Sequence, residues 1–157
     1  MSAEDVLNAA KAAGVMIATA ESCTGGMVAA ALTDIAGSSR VVDRGFVTYS
    51  NAAKRDMLGV QSTTLEAHGA VSEEVALEMA EGALTHARVD LAVSITGIAG
   101  PGGSDFKPEG RVCFGLAQTG DATHVETVEF GAPGRSEVRR LARDHALGLL
   151  LSALQDP

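Results

Sequence analysis

Ser22 stands in the segment Ala20-Glu21-Ser22-Cys23-Thr24-Gly25-Gly26, where small hydroxyl residues and two glycines join a short apolar run to a stretch of small residues. A serine at such a junction can reach a substrate, and the free N–H groups of a helix start behind it can bind an anion. That is what a serine nucleophile with an oxyanion hole requires. The same layout arises where Ser22 or Thr24 merely caps a helix that begins near Gly25. Capping alone leaves Gly25 and Gly26 unexplained, since glycine inside a helix costs about 1 kcal/mol against alanine. A pair of them implies close approach by a ligand or by another segment.

A serine hydroxyl needs a base within hydrogen-bond reach, and Val47-Thr48-Tyr49-Ser50-Asn51-Ala52-Ala53-Lys54 offers one. With Asn51 as the N-cap of a short helix, Lys54 is its third residue and sits in an unfavourable positive potential. That potential, with partial burial, lowers the ammonium pKa and frees the amine to act as a general base. The competing reading is a solvated surface lysine. Tyr49, the single tyrosine of the chain, taken alone suits a half-buried strand position.

The third element is Thr96-Gly97-Ile98-Ala99-Gly100-Pro101-Gly102-Gly103, with four glycines in eight residues. Consecutive N–H groups there can form an anion nest, although a plain long turn fits equally. The loop lacks the Lys-Ser/Thr ending of a phosphate-binding P-loop, so a nucleoside triphosphate is not expected. Arg135, just after Gly134, can clamp a phosphate or carboxylate, or can be an ordinary surface arginine. Cys23 is a rival nucleophile, but no motif ties His68, His86, His124 or His145 to it, and a small buried cysteine is the better reading. No H-x-x-x-H, H-E-x-x-H or C-x-x-C spacing occurs, and no metal is expected.

The elements that must position these groups follow from periodicity and stop signals. Residues 3–13 predict a helix ending at Gly14, and 15–19 a short strand. Met27 to Ala36 reads as a helix stopped by Gly37, and Val41 to Tyr49 as a strand with Gly45 as a bulge or close-approach point. A short helix runs from Asn51 to Gly59, and Thr64 to Gly69 suits another turn of helix. Ser72 with Glu73 and Glu74 starts a helix to about Ala87, its apolar face carrying Val75, Met79, Ala83 and His86. Leu91 to Ile95 suits a buried strand. Val112 to Ala117 and His124 to Phe130 predict a hairpin around Thr119-Gly120-Asp121. A helix over 136–153 closes the order α-β-α-β-α-α-β-β-β-α, an α/β fold with helices covering a mixed sheet.

At 157 residues the chain is read as a single domain. Only 3% of it is aromatic against 46% hydrophobic, so its core must be built from Ala, Val, Leu, Ile and Met with close helix–sheet packing. The net charge of −8 argues against nucleic acid and anionic membranes as partners, since neutralising phosphates takes a basic face. Two cysteines do not make a disulfide framework, and no apolar run reaches membrane-span length. With no signal-peptide pattern at its start, the chain is expected to be cytoplasmic.

Taken together, four segments in register resemble the nicotinamide-nucleotide amidohydrolase family, also called the CinA C-terminal domain or NMN deamidase family. They are the Ser22 segment, the Val47–Asn51 segment with Lys54 and Leu58-Gly59-Val60, the turn Gly69-Ala70-Val71-Ser72, and the loop 96–103. The resemblance spans about residues 5 to 152. It implies one three-layer α/β/α domain and hydrolysis of the carboxamide of nicotinamide mononucleotide (NMN) to nicotinate mononucleotide and ammonia, in pyridine-nucleotide salvage. It also implies a serine–lysine mechanism without metal or organic cofactor, and a homo-oligomer. Carried over by motif position, Ser22 is the nucleophile, Lys54 its base, and Tyr49 a proton-relay or orienting partner. Arg135 is the loosest match.

In this reading the turn of Cys23, Thr24, Gly25 and Gly26 and the helix start behind it border the substrate and supply oxyanion donors. The loop residues Thr96, Gly97, Gly100 and Gly102, with Arg135, hold the 5′-phosphate. Relatives usually carry a smaller residue after Gly110, so Arg111 is expected to alter loop geometry and substrate fit. The alternatives are a non-catalytic nucleotide-binding domain of the same fold, and an amidase for another small amide.

Overall fold

In the computed structural model, which describes residues 3–104 and 106–155, the apolar runs form one five-stranded sheet flanked by helices. In chain order the elements are α1 (Ala3–Ala13), β1 (Ile17–Glu21), α2 (Met27–Thr33), a 3-10 turn (Ser38–Arg40) and β2 (Val42–Val47). There follow α3 (Asn51–Leu58), α4 (Ser62–His68), α5 (Glu73–Ala87), β3 (Leu91–Gly97), β4 (Arg111–Gln118), β5 (His124–Glu129) and α6 (Arg135–Gln155). The sheet order is β2-β1-β3-β4-β5. β1 runs parallel to both β2 and β3, while β3-β4 and β4-β5 are antiparallel. This is the expected mixed α/β sheet.

The two faces are built from different residue sizes. Leu91, Val93, Ile95 and Phe114 pack with Val6 and Leu7 of α1, Val28 and Leu32 of α2, and Val138, Leu147 and Leu150 of α6. Each such fully buried large side chain contributes about 1.5–3 kcal/mol. The opposite face presents Ala20 and Ala92 to Leu58, Leu65, Val75 and Met79. There Ser94 donates to the Ala76 carbonyl at 2.6 Å, and a Cβ on Gly115 would come within 2.5 Å of that same oxygen. Small strand residues let α5 lie close on the sheet, which is how a core almost without aromatics reaches close packing.

Several boundaries differ from the sequence expectation, each because of a pairing partner. β1 starts at Ile17 rather than Val15, since its register is set by Ile17 opposite Leu91 and by Ile17 N–H donating to the Val41 carbonyl. The strand therefore runs to Glu21 and delivers Ser22 directly from its end. α2 stops at Thr33, before Gly37. The irregularity in β2 falls at Asp43, not Gly45: Ile17 pairs with Val42 and Ala18 with Arg44. Gly45 is the close-approach point instead, because a Cβ there would lie 2.7 Å from Thr19 Oγ1. α4 is a full helix of its own, one element more than the order read from sequence. His86 is exposed, its ring bonded to the Gly82 carbonyl, so it is not part of the apolar face. Asp105, inside the loop that continues from Gly103, and the ends of the expected 1–157 domain lie outside the described residues.

Candidate active site

The chain leaves β1 toward β2 on one side and returns to place β3 on the other. In an open α/β sheet a crevice forms at the carboxyl ends of strands where the order reverses this way. A cavity of about 340 Å³ opens there, bordered by Ser22 and Cys23 after β1, Tyr49, Asn51 and Lys54 after β2, and residues 96–104 at the end of β3 and in the loop beyond it. Ala70, Val71 and Arg135 complete its wall. The three sequence segments singled out for chemistry thus meet at one place.

Ser22 is 7% exposed and Lys54 only 1%. Lys54 Nζ lies 3.2 Å from Ser22 Oγ, 3.0 Å from the Thr48 carbonyl oxygen and 3.4 Å from the Tyr49 carbonyl oxygen. Burial pushes the Lys54 ammonium below its ordinary pKa of 10.5, opposed by the nearby Cys23 thiol, which favours the charged amine. Lys54 Nζ donates to all three oxygens; once the amine loses a proton, two remain for the carbonyls and the lone pair can turn to the Ser22 hydroxyl.

The helix carrying Lys54 is capped by Ser50, not Asn51: Ser50 Oγ accepts from Ala53 N–H at 3.0 Å. Lys54 is therefore the fourth helical residue. Asn51, the first, borders the cavity, and its likeness to an N-cap in the sequence hid that place.

The helix-capping reading of Ser22 and Thr24 does not hold. The residue before α2 is Gly26, and no side chain at that position bonds the helix. The fully buried Glu21 carboxylate serves the helix start instead, accepting from Val28 N–H at 2.9 Å and Ala29 N–H at 3.0 Å. Those donors are consequently spent, and the expectation that the helix start itself supplies the oxyanion donors is corrected. The turn before it, of which Ser22 and Cys23 border the cavity, is the remaining source of N–H donors. Within that turn Gly25 N–H donates to the Ser22 carbonyl at 2.9 Å and Met27 N–H to Thr24 at 3.0 Å. Among the described residues no backbone carbonyl accepts from Cys23 or Thr24 N–H.

The glycine pair has a backbone reason, with Gly25 at φ 57° and Gly26 at φ 106°, a conformation that costs other residues roughly 1–2 kcal/mol. Cys23 borders the cavity, whereas Thr24, Gly25 and Gly26 do not line it. The Cys23 thiol is pushed up to about 11 by burial, with its own backbone N–H and the Arg139 and Lys54 charges pulling the other way.

In the glycine-rich loop, Gly100 (φ 91°) and Gly102 (φ 82°) hold left-handed backbone, and Thr96 Oγ1 donates to the Ala70 carbonyl at 2.8 Å. The expected nest is partly filled from within: Gly102 N–H donates to the Glu109 carboxylate at 2.6 Å. Gly97 is required by the sheet, because a Cβ there would meet Val112 Cγ2 at 2.7 Å.

Arg135 reaches across the cavity mouth, donating to the Gly100 carbonyl at 2.7 Å and to Tyr49 Oη at 2.8 Å. Tyr49 is 60% exposed, not half-buried, and its phenol engages Arg135 rather than Ser22 or Lys54. Arg111 does not border this cavity. It forms a bidentate pair with Glu129, directly opposite on β5, Nε donating to Oε1 and Nη2 to Oε2.

Arg139 was not singled out from the sequence. Its Nε donates to the Cys23 carbonyl at 3.0 Å and its Nη2 lies 3.4 Å from the Thr24 carbonyl. The available signal was a pair of arginines four residues apart at a helix start, where the dipole disfavours cations.

Among the described residues, no group of three or more His, Cys, Asp or Glu is arranged to hold a metal ion, and no helix is long and apolar enough to cross a membrane.

Comparison with known proteins follows the same outline. A family model described as the CinA C-terminal domain matches residues 1–154. The chain is 55% identical over 148 residues to the nicotinamide-nucleotide amidohydrolase PncC of Escherichia coli K12, covering 94% of this chain and 89% of that one. It is 52% identical over 150 residues to a CinA-like protein of Mycobacterium sp. MCS, covering 94% of this chain but 35% of that longer one. Among solved structures, the competence/damage inducible protein CihA of Agrobacterium tumefaciens superposes with a TM-score of 0.93 at 50% identity, covering 98% of this chain and 93% of that one.

Proposed function

Because the chain belongs to the CinA C-terminal domain family, we propose that it hydrolyses the carboxamide of NMN to nicotinate mononucleotide and ammonia, with Ser22 as nucleophile and Lys54 as base. The observation that carries this is the buried Lys54 Nζ at 3.2 Å from Ser22 Oγ, with two backbone carbonyl oxygens also within its reach. The likeness to proteins named nicotinamide-nucleotide amidohydrolase supports the substrate.

The neutral Lys54 amine takes the Ser22 proton as Oγ attacks the carboxamide carbon. N–H groups of the turn after Ser22 receive the negative charge on the carbonyl oxygen, each such donor being worth roughly 3–4 kcal/mol. The Lys54 ammonium returns its proton to the leaving nitrogen, the C–N bond breaks, and ammonia departs from a nicotinoyl ester on Ser22. Water then attacks the ester with Lys54 again as base, and the acid product leaves. Arg135 at the mouth binds the 5′-phosphate and exchanges its Tyr49 bond for it, so that binding energy remote from the amide positions it. The reading includes a homo-oligomer and a place in pyridine-nucleotide salvage.

Ammonia and nicotinate mononucleotide are quantified from NMN with wild type and with Ser22→Ala. Turnover that disappears in Ser22→Ala while NMN still binds supports the reading. Binding without turnover in the wild type, or undiminished turnover in Ser22→Ala, overturns it.

A further inference from the structure

α6 carries Arg135 and Arg139 one turn apart, and each grips the backbone of a different site loop. Arg135 holds the Gly100 carbonyl of the loop after β3, and Arg139 holds the Cys23 and Thr24 carbonyls of the turn after β1. The amidase reading gives Arg135 a role and leaves Arg139 without one. Ordering a long arginine side chain costs up to roughly 2 kcal/mol of rotamer freedom. Contacts bearing such a cost call for an explanation beyond filling space.

The peptide planes of the turn supply it. In a trans peptide the C=O and the following N–H point in opposite directions. A guanidinium on the Cys23 carbonyl therefore turns Thr24 N–H the other way. The same guanidinium on the Thr24 carbonyl turns Gly25 N–H the other way, where it meets the Ser22 carbonyl at 2.9 Å. That bond fixes the Ser22 carbonyl, and so turns Cys23 N–H to the opposite side. Three consecutive peptides are thus set from one side chain. The fit is close: a Cβ on Gly25 would lie 3.4 Å from Arg139 Nη2. Glu21 holds the other end by occupying Val28 and Ala29 N–H, which leaves the helix start unable to compete for an anion.

We propose that Arg139 is a positioning residue, holding the nucleophile turn so that the N–H of Cys23, which borders the cavity, faces the carboxamide oxygen as it becomes negative. A cation on the carbonyl side also polarises these peptides and strengthens their N–H donors. The inference rests on the amidase reading. It concerns a step that Ser22 and Lys54 alone do not perform, namely stabilisation of the oxyanion.

The test compares wild type, Arg139→Ala and Arg139→Lys by steady-state ammonia release from NMN, with the fold of each followed by circular dichroism. Arg139→Ala is expected to lose about 100-fold in kcat with KM changed less than about threefold, as for loss of an interaction made only in the transition state. Free guanidinium at tens of millimolar, far below the molar range that unfolds proteins, is expected to restore part of that kcat to Arg139→Ala. Arg139→Lys, which cannot span two carbonyls with a planar fork, should fall between the two and gain nothing from guanidinium.

A folded Arg139→Ala with kcat within about twofold of wild type overturns the inference. So does a loss confined to KM, or one that guanidinium leaves untouched. If Arg139→Ala does not fold, the kcat and KM of Arg139→Lys decide between the same outcomes. A wild type that releases no ammonia overturns the amidase reading and this inference with it, whereas wild-type turnover matched by the variants overturns this inference alone.

Discussion

Replacing Lys54 with methionine examines the proposed base and its burial in one variant, since methionine approximates the length of the side chain and lacks its charge. Lys54 is 1% exposed, and burial holds its ammonium below the ordinary 10.5. The unfolded chain keeps the ordinary value. Between the depressed folded value and 10.5 the unfolded state thus binds one more proton than the native state. Stability rises with pH through that window, and is lost as pH falls and the folded state must accept the charge. The slope for one proton is at most about 1.4 kcal/mol per pH unit. For a domain of this length about 2–4 °C accompanies each kcal/mol, so the melting temperature moves by at most about 3–6 °C per pH unit.

Lys54→Met has no such proton. The melting temperature of the wild type minus that of Lys54→Met should therefore climb on the alkaline side and level off above about pH 10.5. Calorimetry of both proteins in buffers of matched ionic strength reads this difference directly. Ammonia release from NMN by Lys54→Met should fall at least about 100-fold. A melting-temperature difference that is flat between about pH 7 and 11, or that runs the other way, refutes the buried, readily neutral amine. Retained activity refutes the base.

Arg135→Ala removes the bonds to Gly100 and Tyr49. It should raise KM for NMN about tenfold or more while leaving the kinetics with nicotinamide riboside, which lacks the phosphate, nearly unchanged. Gly82→Ala drives a Cβ into the Leu58 carbonyl at the end of α3. It should cost about 1–3 kcal/mol in denaturant titration and lower kcat, because α3 carries Lys54. With its thiol pushed up to about 11, Cys23 should resist iodoacetamide at neutral pH, and Cys23→Ala should keep turnover, measured beside Ser22→Ala.

Most of the residues that border the cavity stood out in the sequence as a candidate site because turn and cap signals are local. Serine, glycine pairs and a lysine beside a helix start mark breaks between elements, and α/β sheets place ligands at such breaks. Other features escaped because their partners are remote in the chain. The capping by Ser50 is a different case, a local ambiguity between two adjacent cap-type residues, Ser50 and Asn51. Nothing near Gly102 announces Glu109 in its nest, and nothing near Cys23 announces Arg139, 116 residues away. Strand limits shifted for the same reason: the register of β1 is dictated by β3, which pairs Ile17 with Leu91.

What the sequence determined by itself was the alternation of helix and strand, the acidic charge, the small-residue core and the identity of a serine and a lysine at element ends. Hydrophobic period, glycine and capping chemistry act over a few residues, so one chain suffices to read them. What only the tertiary structure decided was that the hydroxyl and the amine, 32 residues apart, share one buried corner, and that a buried glutamate and a distant arginine brace the turn between them. Those distances depend on the strand order β2-β1-β3 and on helices packed from both faces. They arise from the summed burial of the whole core rather than from any segment's own preference.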